Sequence, residues 1–145
     1  IIATHKRPTK LKRCLKHIEK QTIADELEVI VVSDGHDPKT AKLFSKKSEW
    51  KMPVRYFEVK KSQQGVARNF GVKKAKADLC MFLNDDIYLE KDACQQHMKA
   101  RSIFRSGSFQ FDVLVLGFVT WDPKCKITPT MRWLEKSGWQ FGYPY

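Results

Sequence analysis

Leu27-Glu28-Val29-Ile30-Val31-Val32-Ser33-Asp34-Gly35 is the stretch on which the reading of the fold turns. Four consecutive β-branched residues, Val29 to Val32, leave no polar face, which is the pattern of a strand covered on both sides in a parallel sheet. Ser33-Asp34-Gly35 stops it with turn chemistry. Upstream, Ile1-Ile2-Ala3 reads as the end of a first strand, followed by the turn Thr4-His5-Lys6-Arg7-Pro8. Thr9 is placed to cap a helix running to about Gln21, whose apolar stripe is Leu11, Cys14, Leu15 and Ile18. Lys10, Lys12, Arg13, Lys16 and Lys20 fall off that stripe.

Downstream the alternation continues. A short helix is expected over Pro38–Ser45, a third strand over Val54–Val59, and a helix over Gln64–Ala77 with Val66, Phe70 and Val72 turned inward. Leu79–Leu83 reads as a fourth, wholly apolar strand ending at Asn84-Asp85-Asp86, followed by a helix over Lys91–Arg105. Val113–Val119 reads as a fifth strand, and Thr128 caps a last helix that has Pro129 at its first position and ends near Lys136. Strands alternating with helices imply right-handed βαβ units and a mostly parallel sheet with helices on both faces, an α/β domain.

Composition narrows the class. The 145 residues suit one domain, and 42% hydrophobic with 12% aromatic residues argue against disorder. No stretch approaches the ~20 apolar residues of a membrane helix, and Ile1-Ile2 is too short for a signal peptide. The net charge of +11 favours an anionic partner: nucleic acid, a phosphorylated small molecule or a membrane face. The lysines are spread over every helix and over Lys46-Lys47, Lys60-Lys61 and Lys73-Lys74, which makes nucleic acid the less favoured of the three. Cys14, Cys80, Cys94 and Cys125 show no metal-ligand spacing. The first three lie in apolar patterns, as reduced core thiols of a cytoplasmic protein do.

Open parallel sheets bind ligands beyond the carboxyl ends of their strands, where strand order reverses. Three such ends carry polar groups here: Thr4–Pro8, Ser33–Gly35 and Asn84–Asp86. The first has no glycine, which excludes the dinucleotide fingerprint and the phosphate loop and disfavours a nucleotidyltransferase. Two adjacent carboxylates, Asp85 and Asp86, repel each other unless a cation or donors compensate. Mg²⁺ or Mn²⁺ held with substrate phosphates is one solution; acids that only cap a turn are the other.

Thr4-His5-Lys6-Arg7-Pro8 with Leu11-Lys12-Arg13-Cys14-Leu15 resembles the opening of family 2 glycosyltransferases, which have the GT-A nucleotide-sugar fold, a Rossmann-like sandwich. Val29–Gly35 resembles their second strand, Gly65-Val66-Ala67-Arg68-Asn69-Phe70-Gly71 their "G-x-A-x-A-R-N-x-G" helix, and Leu83-Asn84-Asp85-Asp86 their D-x-D motif with Asn84 in place of the first acid. The matches run in order from Ile1 to about Leu89.

This resemblance implies transfer of a sugar from a nucleotide diphosphate, foremost a UDP-sugar, to a hydroxyl of a carbohydrate or lipid-linked acceptor. It implies inversion at the anomeric carbon and a divalent metal, Mn²⁺ or Mg²⁺. Asp34 would receive the base, with Thr4, His5 and Arg7 lining base and ribose. Arg68 would lie near the base or diphosphate, Asp85 at the ribose or sugar, and Asp86, with Asp85, at the metal. The family's base lies further downstream, where Asp122 in Thr120-Trp121-Asp122-Pro123 is the candidate. Trp121, Trp133, Trp139 and Tyr143 are candidates to stack on sugar. On this reading 1–145 is one GT-A-like domain cut at both ends, with 1–89 binding nucleotide and 90–145 opening the acceptor side. Its place would be cytoplasmic, at the inner face of the membrane where the basic surface meets lipid. The rival readings are a nucleotide-sugar module without turnover and a basic nucleic-acid-binding domain.

Overall fold

A computed structural model describes residues 1–45, 50–105 and 114–139. The chain divides into two compact units, Ile1–Met98 and Lys99–Tyr145. The first is built on a parallel four-stranded sheet of order β3-β2-β1-β4, with β1 Ile2–Thr4, β2 Val29–Asp34, β3 Val54–Val59 and β4 Leu83–Asn84. Ile2 pairs with Val31 on one side and with Leu83 on the other, and Asp34 ends level with Val59.

Every residue of β2 is buried, as its unbroken apolar run requires. Val29 and Val31 face one helix layer. There α1 (Pro8–Ile18) packs Leu11, Cys14, Leu15 and Ile18 against them, together with Ile2 and Leu83. Ile30 and Val32 face the other layer and meet Ala67 of α3 (Gln64–Lys74). The sheet therefore carries helices on both faces, as the sequence predicts.

α1 differs at its start. Thr9 lies within the helix, and Pro8 takes a first-turn position behind the N-cap residue Arg7, which makes no side-chain cap. A proline ring pre-sets the helical φ and lacks an N–H that would be orphaned there, so the turn begins one residue before the expected cap. The helix ends at Ile18, and Gln21 is anchored beyond it: its side-chain amide donates to the Glu90 carbonyl (2.7 Å) and accepts from the Cys94 amide (3.0 Å). Burial pushes the Cys14 thiol up to about 12, so it serves as a core residue. Cys94 is buried too, Cys80 only partly so, and Cys125 is exposed. The Pro38–Ser45 helix is present as α2 (Pro38–Ala41), capped by the Asp37 carboxylate, and a 3-10 turn over Lys42–Phe44.

The inward face of α3 is a correction. Val66 and Val72 are exposed; Phe70, as expected, packs half-buried against Ile30, Val32 and Ala67, and the fully buried pair is Ala67 with Gly71. The helix lies so close to the sheet that only small residues fit beneath it. A Cβ on Gly71 would come within 2.5 Å of Ile1 Cγ2 and 3.5 Å of Val32 Cγ2. Gly71→Val is thus expected to lower stability by about 1–3 kcal/mol through overpacking, despite the higher helix propensity of valine. Urea denaturation followed by circular dichroism measures it, and a stability equal to wild type would refute the close approach.

The fourth strand is also shorter than expected. Only Leu83 and Asn84 pair with β1, while Leu79 and Phe82 are exposed. Among the described residues β4 has a single neighbour strand, and the exposure of Leu79 and Phe82 shows that the apolar run before it is not covered on both faces. α4 follows at Ala93–Arg105. In the second unit, the described part of the predicted fifth strand, 114–119, belongs to no strand; Val113 lies outside the described residues. Leu114, Leu116 and Phe118 are exposed and the residues between them half-buried. α5 (Pro129–Lys136) starts as expected, with the Thr128 hydroxyl accepting from the Met131 amide at 3.2 Å. Trp133 and Trp139 are exposed, while Tyr143 lies outside the described residues. No helix among the described residues is long and apolar enough to cross a membrane.

Candidate functional site

β1, β2 and β3 step outward in one direction, after which the chain crosses back to place β4 on the opposite side of β1. Strand order thus reverses between β1 and β4, and the crevice beyond their carboxyl ends is the place where such sheets bind ligands. Thr4 ends β1, and Asn84-Asp85-Asp86 end and follow β4.

These groups meet there. The Thr4 hydroxyl donates to Asp85 Oδ2 at 2.7 Å. Arg7 Nη1 lies 2.9 Å from Asp85 Oδ1, and its Nη2 donates to Asp86 Oδ2. One guanidinium therefore spans both carboxylates. Burial pushes the Asp85 carboxyl above its ordinary value, opposed by the Thr4 hydroxyl and the Arg7 charge. Arg7 is raised in turn, chiefly by its bond to Asp86. The two acids are not equivalent: the Asp85 side chain is 4% exposed and that of Asp86 38%. From α3, Arg68 Nη2 donates to Asn84 Oδ1 at 2.6 Å, which fixes the residue standing in the first place of the acidic motif. Arg68 Nε is buried without a partner.

Asp34 forms a second pole at the end of β2. Its carboxylate accepts the Ser62 amide (2.7 Å), the Gln63 amide (3.1 Å to each oxygen) and the Lys61 ammonium (3.0 Å). The Ser62 amide is the main reason its carboxyl is held below the usual range; burial opposes the shift and Lys61 reinforces it. Gln63, which precedes α3, has φ of 84°, a left-handed value costly for a side chain with a Cβ. Gly35 turns at φ 106°, where a Cβ would lie 3.5 Å from Lys61 and 3.8 Å from His5 Cε1. His5 Nδ1, like Arg68 Nε, is buried with no partner, and such orphans are infrequent in folded proteins.

A third cluster braces the loops. The Lys6 amide donates to Asp37 Oδ2 at 2.9 Å, and the Asp37 amide donates to Glu58 Oε1 at 3.2 Å. Glu58 also takes the Tyr56 hydroxyl and pairs with His36 at 2.9 Å, which with the Tyr56 bond holds its carboxyl low. Lys61, Ser62, Gln63 and Glu58 escaped the reading of the sequence. Their only signal there is the basic pair Lys60-Lys61 ahead of Gly65, which looks like ordinary surface charge.

The structure thus gathers Thr4, Arg7, Asp85 and Asp86 at one pole and His5, Gly35 and Asp34 at another, with Arg68 on Asn84. Asp122 lies in the second unit. Its Oδ1 accepts the Lys124 amide (3.0 Å) and its carbonyl the Cys125 amide (2.8 Å), as in an Asp-Pro turn. Among the described residues no three His, Cys, Asp or Glu side chains converge as a metal site. The donor set suits a hard cation that takes one or two carboxylate oxygens and completes its shell from phosphates.

The parallel α/β sheet with helices on both faces is consistent with the GT-A fold. The crystal structure of S. aureus TarS agrees in fold, with a TM-score of 0.59 at 22% identity over 70% of this chain and 19% of that one. The sequence matches glycosyl transferase family 2 over residues 1–101, and the chain belongs to that family. EpsH of Bacillus subtilis (strain 168), named as a glycosyltransferase, is 28% identical over 104 residues, 68% of this chain and 28% of EpsH. The glycosyltransferase GlyA of Streptococcus pneumoniae serotype 4 (TIGR4) is 28% identical over 82 residues, 57% of this chain and 12% of GlyA. The chain spans less than a third of the curated relatives it matches.

Proposed function

We propose that this chain binds the donor of a glycosyl transfer, a nucleoside diphosphate sugar with uracil as the foremost base, beyond the carboxyl ends of β1, β2 and β4. The observation that carries the reading is the Thr4–Arg7–Asp85–Asp86 cluster at the point where strand order reverses. The base would lie at the His5–Gly35–Asp34 pole, where His5 Nδ1 is buried without a hydrogen-bond partner. The ribose or sugar would lie near Asp85, and the diphosphate toward Arg7 and Arg68.

Asp86 would hold a divalent cation, Mn²⁺ or Mg²⁺, with Asp85 beside it. Bound there, the metal supplies Lewis-acid stabilisation of the charge on the leaving diphosphate. Thr4 keeps Asp85 in place, and Arg68 through Asn84 keeps the loop before it. Transfer to an acceptor hydroxyl of a carbohydrate or a lipid-linked sugar would proceed with inversion, a carboxylate on the acceptor side taking the proton. Asp122 is the sequence candidate for that carboxylate because it follows Val113–Val119, whose described part forms no strand, so the base is expected outside 1–145. A cytoplasmic site, with the +11 surface turned to an anionic membrane, accords with a lipid-linked acceptor.

Calorimetric titration of UDP and GDP, with and without Mn²⁺, tests this on wild type and Asp86→Ala. UDP is expected to bind wild type only with the metal, and the variant not at all. Wild type that binds neither nucleotide, or binds UDP equally without Mn²⁺, would refute the reading.

A further inference from the structure

The Asp85–Asp86 pair is already compensated by the chain's own cation. Adjacent carboxylates demand an opposite charge nearby, and the Arg7 guanidinium supplies it by reaching both at once. The three partners differ in freedom. Asp85 is buried and tied to Thr4, whereas Asp86 and Arg7 have side chains 38% and 45% exposed. Arg7 also sits at the N-cap of α1, where its side chain makes no capping bond that would pin it. Its head can therefore leave without disturbing helix or sheet.

Resting on the donor-site reading above, we infer that Arg7 is an exchangeable counter-charge: it neutralises Asp85 and Asp86 before ligand binds, yields that place to the divalent cation, and turns to the diphosphate. Two consequences follow from the geometry. Metal without nucleotide must displace a guanidinium held by both carboxylates, so Arg7 weakens it. When a diphosphate is present the displaced guanidinium gains a new partner, so metal and nucleotide each raise the other's affinity, as linkage requires. No third His, Cys, Asp or Glu side chain converges there among the described residues, so the cation depends chiefly on the phosphates for the rest of its shell.

The test is Mn²⁺ binding to the nucleotide-free full chain, read from the electron paramagnetic resonance signal of free Mn²⁺. An opposite charge at contact distance changes a carboxylate's affinity for a proton by about ten- to a thousandfold, and the same competition applies to a metal ion. Arg7→Ala is therefore expected to bind Mn²⁺ about tenfold more tightly than wild type. Its melting temperature should fall in EDTA and recover in Mn²⁺, and its UDP affinity should gain less from the metal. Unchanged or weaker Mn²⁺ affinity in a folded Arg7→Ala would overturn the exchange. If that variant does not fold, Arg7→Lys decides: a single ammonium holds one carboxylate less well than a fork holds two, so Mn²⁺ must bind more tightly than to wild type, and equal affinity would overturn the exchange. Wild type that fails to bind UDP with Mn²⁺ refutes the donor site instead, and the nucleotide-free comparison still decides the role of Arg7.

Discussion

Asp34→Ala is expected to weaken UDP binding by about ten- to a hundredfold and to lower stability by about 1.5–3 kcal/mol, the range for hydrogen bonds to a charged group. The carboxylate is not a free acceptor at the end of β2. It takes two backbone amides and one ammonium from the segment 61–63, and its side chain is only 7% exposed. Removing it releases Lys61 and leaves Gln63 in a left-handed conformation with nothing to hold it there. The entry to α3 then relaxes, and with it the wall that Lys61 forms beside Gly35 and His5. Calorimetry gives the affinity and urea denaturation the stability; a variant with both unchanged would show that the segment is held by other means.

The pH dependence has a definite sign. Asp34 is held below its unfolded value, about 3.9, so it binds protons less readily when folded. Its contribution is fully present above that value and is lost as pH falls through the depressed folded one. Asp34→Asn should flatten the acid limb of the stability curve. Lys61→Met should do so weakly, because that ammonium is 60% exposed and screened by water.

Leu15→Ala is expected to cost about 2–5 kcal/mol, the largest stability effect of any single truncation discussed, because the site closes around no neighbour that can move in. Leu15 is fully buried on α1 against Val29 and Val31, whose strand is itself held on both sides. Lys12→Ala, on the exposed side of the same helix, should change stability by no more than about 0.5 kcal/mol. Thermal melts of the two variants measure the contrast, and similar midpoints would contradict the packing of α1 on the sheet.

The elements that the sequence announced well share one property: their pattern was set by burial alone. The β-branched run Val29–Val32 fits a two-sided strand, and the spacing of Leu11, Cys14, Leu15 and Ile18 fits a helix stripe, and each arrangement removes those groups from water together. α3 was announced as a helix whose inward face held for Phe70, which packs against Ile30, Val32 and Ala67, but not for Val66 and Val72. Hydrophobic spacing favoured Val66 and Val72, but the distance to β1 and β2 selected Ala67 and Gly71. Interlayer distance is set by both partners and is not encoded in the spacing of one.

The candidate site divides in the same way. Polar residue types at three strand ends marked the loops Thr4–Pro8, Ser33–Gly35 and Asn84–Asp86, and the resemblance to family 2 glycosyltransferases singled out Thr4, Arg7, Asp34, Asp85 and Asp86 within them. Their partners were hidden. Arg7 and Asp85 are 78 positions apart, and Asp34 meets Ser62 across 28, so nothing in local spacing links them. Local chemistry, which depends on neighbours in the chain, thus determined that this protein is a parallel α/β sheet with acids at its strand ends. The tertiary structure alone decided which cation faces which acid, because only the crossover from β3 to β4 brings the carboxyl ends of β1 and β4 side by side.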